Sequence, residues 1–314
     1  MLRNLSEGTI SDYDHKWEVF MRYLEEEGIS HEEVIIDHAI NFLRKLFFDG
    51  LKPSTVVKYK TALSEPLLAK FKINLKIPEL GKLIQAMKRA RPDKPSEDPH
   101  WNLNKVLKYI DEDMPKRLST EDLLRKTAFL LLLSTGMRIS ELHACLRTKD
   151  CCKFTADNFL RLGHHHLFLV KNEKPDKRWP SRVIKPLFTK DGKASKLCPV
   201  TSLKAYLSRT SSFKKGRLFR STGRVSKELT KHQLTTEVCK LIVRADPGTK
   251  AKVHDIRSYA SSCALDSTMI TPTELAEAIG WSNPATFYKF YRTAIEPLNR
   301  EISLPGPDPR DRGQ

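Results

Sequence analysis

Residues 134–142 read STGMRISEL, and this short stretch decides the fold. Just before it lies the longest apolar run of the chain, Ala128 to Leu133, six residues within a pattern that predicts a helix over 119–134. Gly136 interrupts that pattern, and apolar spacing resumes over 138–147 as a second helix. Arg138 and Glu141 stand three residues apart, so they share one face of it. Taken alone, such a pair reads as a surface ion pair.

Three further segments belong with it. VHDIRSYASS (253–262) gives His254 and Arg257 the same spacing at the start of a predicted helix. IGWSNPATFYKFYR (279–292) carries Trp281 and two tyrosines, Tyr288 and Tyr291. HLFLVKN (166–172) and RVIKPLF (182–188) read as two strands about the polar turn KPDKRWPS, a hairpin bearing Lys171, Lys174 and Lys177. Each motif is weak by itself. An HxxR pair occurs often by chance, and a tryptophan after glycine is ordinarily a core aromatic.

Working outward, residues 9–92 read as helices. Thr9 and Ser11 are candidate caps for a helix through Tyr13, Trp17, Phe20 and Tyr23. Ser30 is expected to open a second through Val34, Ile35, Ala39 and Phe42, and Ser54 to cap a third over 54–71. A fourth covers 80–89. The segment 90–100, ARPDKPSEDPH, holds three prolines and reads as a boundary. Its basic flank, Lys88, Arg89, Arg91 and Lys94, suits an arm crossing a phosphate backbone. Further helices are expected over 102–112, 200–209, 230–244, 254–265, 272–279 and 284–294. The expectation is therefore a mainly α chain: a helical domain over 1–92, a linker over 93–100, and a mixed α/β domain with a small β-hairpin or sheet over 101–296. The Pro-rich tail, 297–314, reads as disordered.

Composition narrows the function. The chain has 314 residues, 55 Lys+Arg against 38 Asp+Glu, a net charge of +17 and a pI near 9.6. With 39% hydrophobic and 30% charged residues it can build packed cores, and its length suits about two domains. Residues 1–50 carry 5 basic and 11 acidic side chains, whereas 101–314 carry 39 and 22. Such an excess attracts a polyanion, nucleic acid or an anionic membrane surface. Six apolar residues fall far short of the ~20 that span a bilayer, and MLRNLSEGTI has no apolar signal core. The six cysteines show no CxxC or zinc-like spacing and read as reduced, mostly buried thiols. The run His164-His165-His166 reads as a polar loop entering a strand rather than a metal site.

In order and context, these motifs strongly resemble the tyrosine recombinase (phage integrase) family: Gly136-x-Arg138-x-x-Glu141, a basic hairpin, His254-x-x-Arg257, then Gly280-Trp281 and an aromatic run ending in Tyr291-Arg292. The resemblance covers nearly the whole chain. HWNLNKVLKYI (100–110), CPVTSLKAYLSRT (198–210), Leu218-Phe219 and GWSNPATFYKFYR (280–292) resemble the recombinases of DIRS- and Ngaro-type eukaryotic retroelements more closely.

The resemblance implies a helical core-binding domain that clamps DNA, followed by a catalytic domain. It implies strand cleavage and rejoining through a 3′-phosphotyrosyl intermediate, without ATP, metal or other cofactor. Arg138 and Arg257 would offer bidentate donors to the phosphate oxygens, with His254 and the Trp281 indole as further donors. Glu141 would orient Arg138. A hairpin lysine, Lys174 or Lys171, would protonate the leaving 5′-oxygen. The family's usual nine-residue step from the Trp/His donor to the nucleophile lands here on Phe290, a departure. Tyr291, ten residues on, is preferred to Tyr288, because the retroelement members share the longer step. Lys58 and Lys60, on the helix after Ser54, join Arg89 and Arg91 as candidate DNA contacts. The implied partners are double-stranded DNA and further copies of the chain, four protomers on two sites, with no membrane. A retroelement origin implies the nucleus, any other origin the cytoplasm or nucleoid. A type IB topoisomerase and a catalytically inactive, domesticated DNA-binding protein are the rival readings.

Overall fold

The computed structural model describes residues 7–30, 32–92, 100–148, 151–163, 182–222, 226–267, 271–279, 281 and 283–291. The chain divides into two compact units, Met1–Ser96 and Glu97–Gln314.

The first unit is built from α1 (Glu7–Glu26), α2 (Ile36–Phe48), α3 (Pro53–Phe71) and α4 (Pro78–Ala90). Phe20, Leu24, Phe42, Leu43, Val56, Leu63, Leu67 and Leu80 are fully or almost fully buried and form its core. Phe42 meets Phe20 edge-on at 5.2 Å between ring centroids, a favoured aromatic geometry. Two helix starts differ from expectation. The Ser30 hydroxyl donates to Glu33 (2.9 Å) in a turn of its own, and α2 begins only at Ile36. Pro53 takes the first position of α3, where its missing N–H costs nothing, so Ser54 lies inside the helix rather than capping it.

The second unit surrounds one buried helix. α6 (Thr120–Thr135) is capped by Ser119, whose hydroxyl accepts from the Asp122 N–H at 3.0 Å. Every residue from Lys126 to Thr135 is buried, as befits a helix enclosed on all sides. It packs against α8 (Pro199–Arg209), α9 (Lys231–Ala245) and α10 (Val253–Ser267). α5 (Leu103–Lys108) continues into a π-helical turn, Tyr109–Asp113. α7 (Ile139–Ala144), α11 (Pro272–Ile279) and α12 (Ala285–Phe290) are short. No described helix is long and apolar enough to cross a membrane, and all six cysteines are unpaired thiols.

Sequence periodicity missed most of the sheet. β1 (Cys152–Phe154), β2 (Leu160–Leu162) and β3 (Arg182–Ile184) form an antiparallel sheet in that order. Three residues per strand are too few to display alternation. The strand expected over 182–188 shrinks to Arg182–Ile184, while 166–172 lies outside the described residues. The register pairs Leu160 with Ile184 and Leu162 with Arg182. Directly paired residues share a face, so Arg182 stands beside Leu160, Leu162 and Ile184, all buried.

Candidate active site

Gly136 is where the site begins. It ends α6 in the left-handed conformation (φ +60°), its N–H donating to Leu132 O at 2.9 Å. That turn sends the chain into α7 and leaves the Gly136 carbonyl facing α10. A Cβ here would approach Ile279 Cδ1 to 3.3 Å, and left-handed φ disfavours any other residue. Gly136→Ala is therefore expected to destabilise this unit by about 1–2 kcal/mol in urea unfolding. A variant as stable as its parent would remove the requirement for glycine.

Arg138 immediately precedes α7, and Glu141 sits in its first turn. The Glu141 carboxylate accepts from the Arg138 backbone N–H at 3.0 Å and from its Nη1 at 3.1 Å. One residue thus caps the helix and holds the guanidinium of the other. Their exposure separates their roles: the Arg138 side chain is 42% exposed, that of Glu141 only 3%. The arginine faces solvent from a buried anchor.

Arg257 comes from α10 and is buried at 2% exposure. Its Nη1 donates to the Gly136 carbonyl at 2.6 Å and its Nη2 to the Ile279 carbonyl at 3.4 Å. These carbonyls close α6 and α11, and helix C-termini favour a cation. Burial first, and the Arg138 charge next, push the Arg257 pKa down to about 10, which leaves it cationic at neutral pH. The Trp281 ring covers it at 5.2 Å and the Tyr291 ring at 5.6 Å.

Tyr291 follows α12. It stacks on Trp281 (centroids 4.8 Å apart, planes at 28°) and lies 5.3 Å from the His254 ring. Ser262 of α10 donates to its carbonyl at 3.2 Å. Desolvation first, and the Arg257 charge second, lower the pKa of His254, which favours its neutral form. The two tyrosines differ sharply: Tyr291 is 7% exposed and Tyr288 55%. Within this cluster two buried donors have no hydrogen-bond partner among the described residues, Arg257 Nε and Trp281 Nε1. Unmet donors carry a cost of about 1–3 kcal/mol each, and two in one cluster mark a place built to receive acceptors.

One member had no signature in the sequence. Arg182, turned inward by the β3 register, places Nη2 3.1 Å from the Ile279 carbonyl and 3.8 Å from Glu141 Oε2. Burial lowers its pKa, and Glu141 opposes that shift. Two guanidiniums therefore face one carboxylate, with the Arg257 cation in the same cluster, and the excess charge suits a dianionic or developing anionic group.

Of the residues singled out in sequence, the structure brings together Arg138, Glu141, His254, Arg257, Trp281 and Tyr291. Lys171, Lys174 and the run of histidines at 164–166 lie outside the described residues. In the first unit Lys58 and Arg89 are exposed and Lys60 is half-buried. Arg91 departs from the expectation of a DNA contact. Its guanidinium lies over the Phe47 ring at 4.3 Å and donates to the Leu51 carbonyl at 2.8 Å and to that of Phe47 at 3.3 Å. It clasps the end of α4 to the end of α2. No group of three His, Cys, Asp or Glu among the described residues is placed to hold a metal.

No protein-family model and no curated protein matches the chain in sequence. Solved structures do match in shape. A lambda integrase dimer bound to a COC′ core site aligns with a TM-score of 0.54 at 14% identity, covering 94% of this chain and 94% of that one. The Tn1549 transposon integrase in complex with transposon right end DNA gives 0.55 at 16% identity, covering 95% and 93%. XerH site-specific recombinase bound to difH substrate gives 0.54 at 16%, covering 82% and 68%. At such identities the likeness concerns architecture, and the architecture is one: this chain has the tyrosine recombinase fold.

Proposed function

We propose that the protein is a tyrosine recombinase, which cleaves and rejoins DNA strands at specific sites through a 3′-phosphotyrosyl intermediate. The observation that carries this reading is the packing of Tyr291 against Arg257, Trp281 and His254, drawn from separate elements of the second unit. A phenol, a buried cation and two ring N–H groups are the requirements of metal-independent phosphoryl transfer.

The Tyr291 oxygen attacks the phosphorus and the bond to the 5′-oxygen breaks. His254, favoured in its neutral form, receives the phenol proton. Arg138 and Arg257 meet the charge that develops on the non-bridging oxygens, and the unmet donors on Arg257 and Trp281 gain acceptors. The leaving oxygen takes its proton from Lys174 or Lys171. A 5′-hydroxyl of a partner duplex then attacks the phosphotyrosine and restores the strand, so bond energy is conserved throughout. The segments at 100–110, 198–210, 218–219 and 280–292 support a retroelement of the DIRS/Ngaro kind as the source, hence a nuclear protein acting on element ends. Four protomers on two sites would complete exchange.

The first unit would clamp the duplex through α3. Lys58→Gln and Lys60→Gln should each reduce the slope of log affinity against log salt by about 1. Arg91→Gln should leave that slope alone, because its charge is spent inside the unit. Fluorescence anisotropy of a labelled duplex, titrated at several salt concentrations, checks both.

The reaction itself is tested with a pool of nicked suicide duplexes carrying a randomised core. The full chain should trap a subset as an SDS-resistant adduct, and the enriched sequence becomes the substrate for later work. No adduct from the pool would overturn the enzymatic reading and favour a DNA-binding protein that keeps the fold. Relaxation of a one-site plasmid without exchange between two sites would indicate a topoisomerase.

A further inference from the structure

We infer that Arg182 is a positioning residue that fixes the separation of Arg138 and Arg257. The inference rests on the reading of these two as the groups that meet the phosphate.

Arg182 stands between the two halves of the site. On one side it faces Glu141 Oε2, and Glu141 Oε1 holds Arg138 Nη1. On the other it donates to the Ile279 carbonyl, which also accepts from Arg257. A continuous chain of polar contacts therefore runs from Arg138 through Glu141, Arg182 and the Ile279 carbonyl to Arg257. Without Arg182, the end of α11 would be tied to the turn before α7 only through the hydrogen bonds of Arg257 to the Gly136 and Ile279 carbonyls, and Glu141 would have no link to that side.

The expense of this arrangement argues that it is not there for stability. The Arg182 side chain is 10% exposed and sits at a strand position paired with Leu162, on the face that also carries Leu160 and Ile184. An apolar residue of similar volume would avoid desolvating a cation, and buried ion pairs replaced by such residues are often as stable or more so. What an apolar residue could not supply is direction. Bidentate phosphate recognition needs the guanidiniums held in plane and at a set distance. A misplacement of about 1 Å in a reacting group can cost on the order of 100-fold in rate. Arg182 Nη2 lies 3.8 Å from Glu141 Oε2, the oxygen that accepts from the Arg138 backbone N–H. Glu141 Oε1 holds Arg138 at Nη1, which leaves the rest of that guanidinium towards solvent.

The test compares the full-length wild type with Arg182→Met and Arg182→Lys. The substrate is the duplex selected from the randomised pool. The methionine keeps volume without charge, and the lysine keeps charge on an unforked stem. Single-turnover adduct formation should fall about 100-fold in Arg182→Met and at least about 10-fold in Arg182→Lys. Affinity for the intact duplex and the melting temperature should stay close to wild type. Wild-type rates in both variants, or a parallel loss of rate, affinity and melting temperature, would overturn the inference. A second readout needs no reaction. The guanidinium 15N–1H signals of Arg138 and Arg257 should shift or broaden in both variants without DNA. Unchanged signals would overturn the positioning role even if the wild type formed no adduct, an outcome that counts against the proposed reaction alone.

Discussion

Tyr291→Phe should abolish the SDS-resistant adduct, a loss of about 10⁴-fold or more, while Tyr288→Phe should leave it within a few-fold of wild type. The two residues lie three apart on one short stretch, yet their surroundings are opposed. Tyr291 is wedged between Trp281 and His254 and lies over Arg257. Tyr288 is largely in solvent, its ring edge-on to Phe287. Removing the Tyr291 hydroxyl leaves the ring and its stacking in place, so the variant should keep its melting temperature and its affinity for duplex. That combination, chemistry gone with fold and binding intact, is the mark of a nucleophile. An adduct that survives Tyr291→Phe and disappears in Tyr288→Phe would reverse the assignment.

Arg147→Met should be the most damaging single change to the second unit, costing about 3–5 kcal/mol and lowering its melting temperature by roughly 10 °C or more. Arg147 spends its guanidinium on the backbone that follows α8. Nη1 donates to the carbonyls of Thr210 (2.9 Å) and Phe213 (3.2 Å). Nη2 donates to Thr210 Oγ1 (2.9 Å) and the Leu218 carbonyl (3.0 Å), and Nε to that same carbonyl at 3.2 Å. The group also lies over the Tyr206 ring. The Thr210 carbonyl also accepts from the Phe213 N–H at 3.1 Å, so losing the arginine falls hardest on the carbonyls of Phe213 and Leu218. A lysine could satisfy only part of the set, and Arg147→Lys should fall between the two. Differential scanning fluorimetry checks it, and a shift under about 2 °C for the methionine variant would show that the loop is held by other means.

The parts of the fold that could be read from sequence are those whose local chemistry agrees with their final packing. Thr230 and Gln233 form a reciprocal cap exactly where the apolar spacing of α9 starts. The run from Ala128 to Leu133 lies within the most enclosed helix. Failures came where a neighbour outcompeted the obvious residue, as Pro53 did Ser54 and as Glu33 did the start of α2. The strands were hidden by brevity, since Leu160 and Leu162 alone cannot establish a period. In the site, six residues could be found because their order along the chain resembles a known pattern. Arg182 could not, because only pairing with Leu162 reveals which way it points. Arg91 shows the converse. A count of basic residues cannot separate an arginine awaiting a phosphate from one already satisfied by two carbonyls.

The two buried arginines share the carbonyl of Ile279, and that single oxygen sets a timetable for the protein. Arg138 and Arg182 leave the ribosome well before Ile279, and Trp281 and Tyr291 later still. A chain still in synthesis thus holds Arg138 and Arg182 without the carbonyl that orders Arg182 and without the aromatic rings of Trp281 and Tyr291. Folding of such a domain completes as a unit after its last elements emerge. On the proposed function, a copy truncated before Tyr291 would keep Arg138, Arg182 and Arg257 but would have no nucleophile with which to form the adduct.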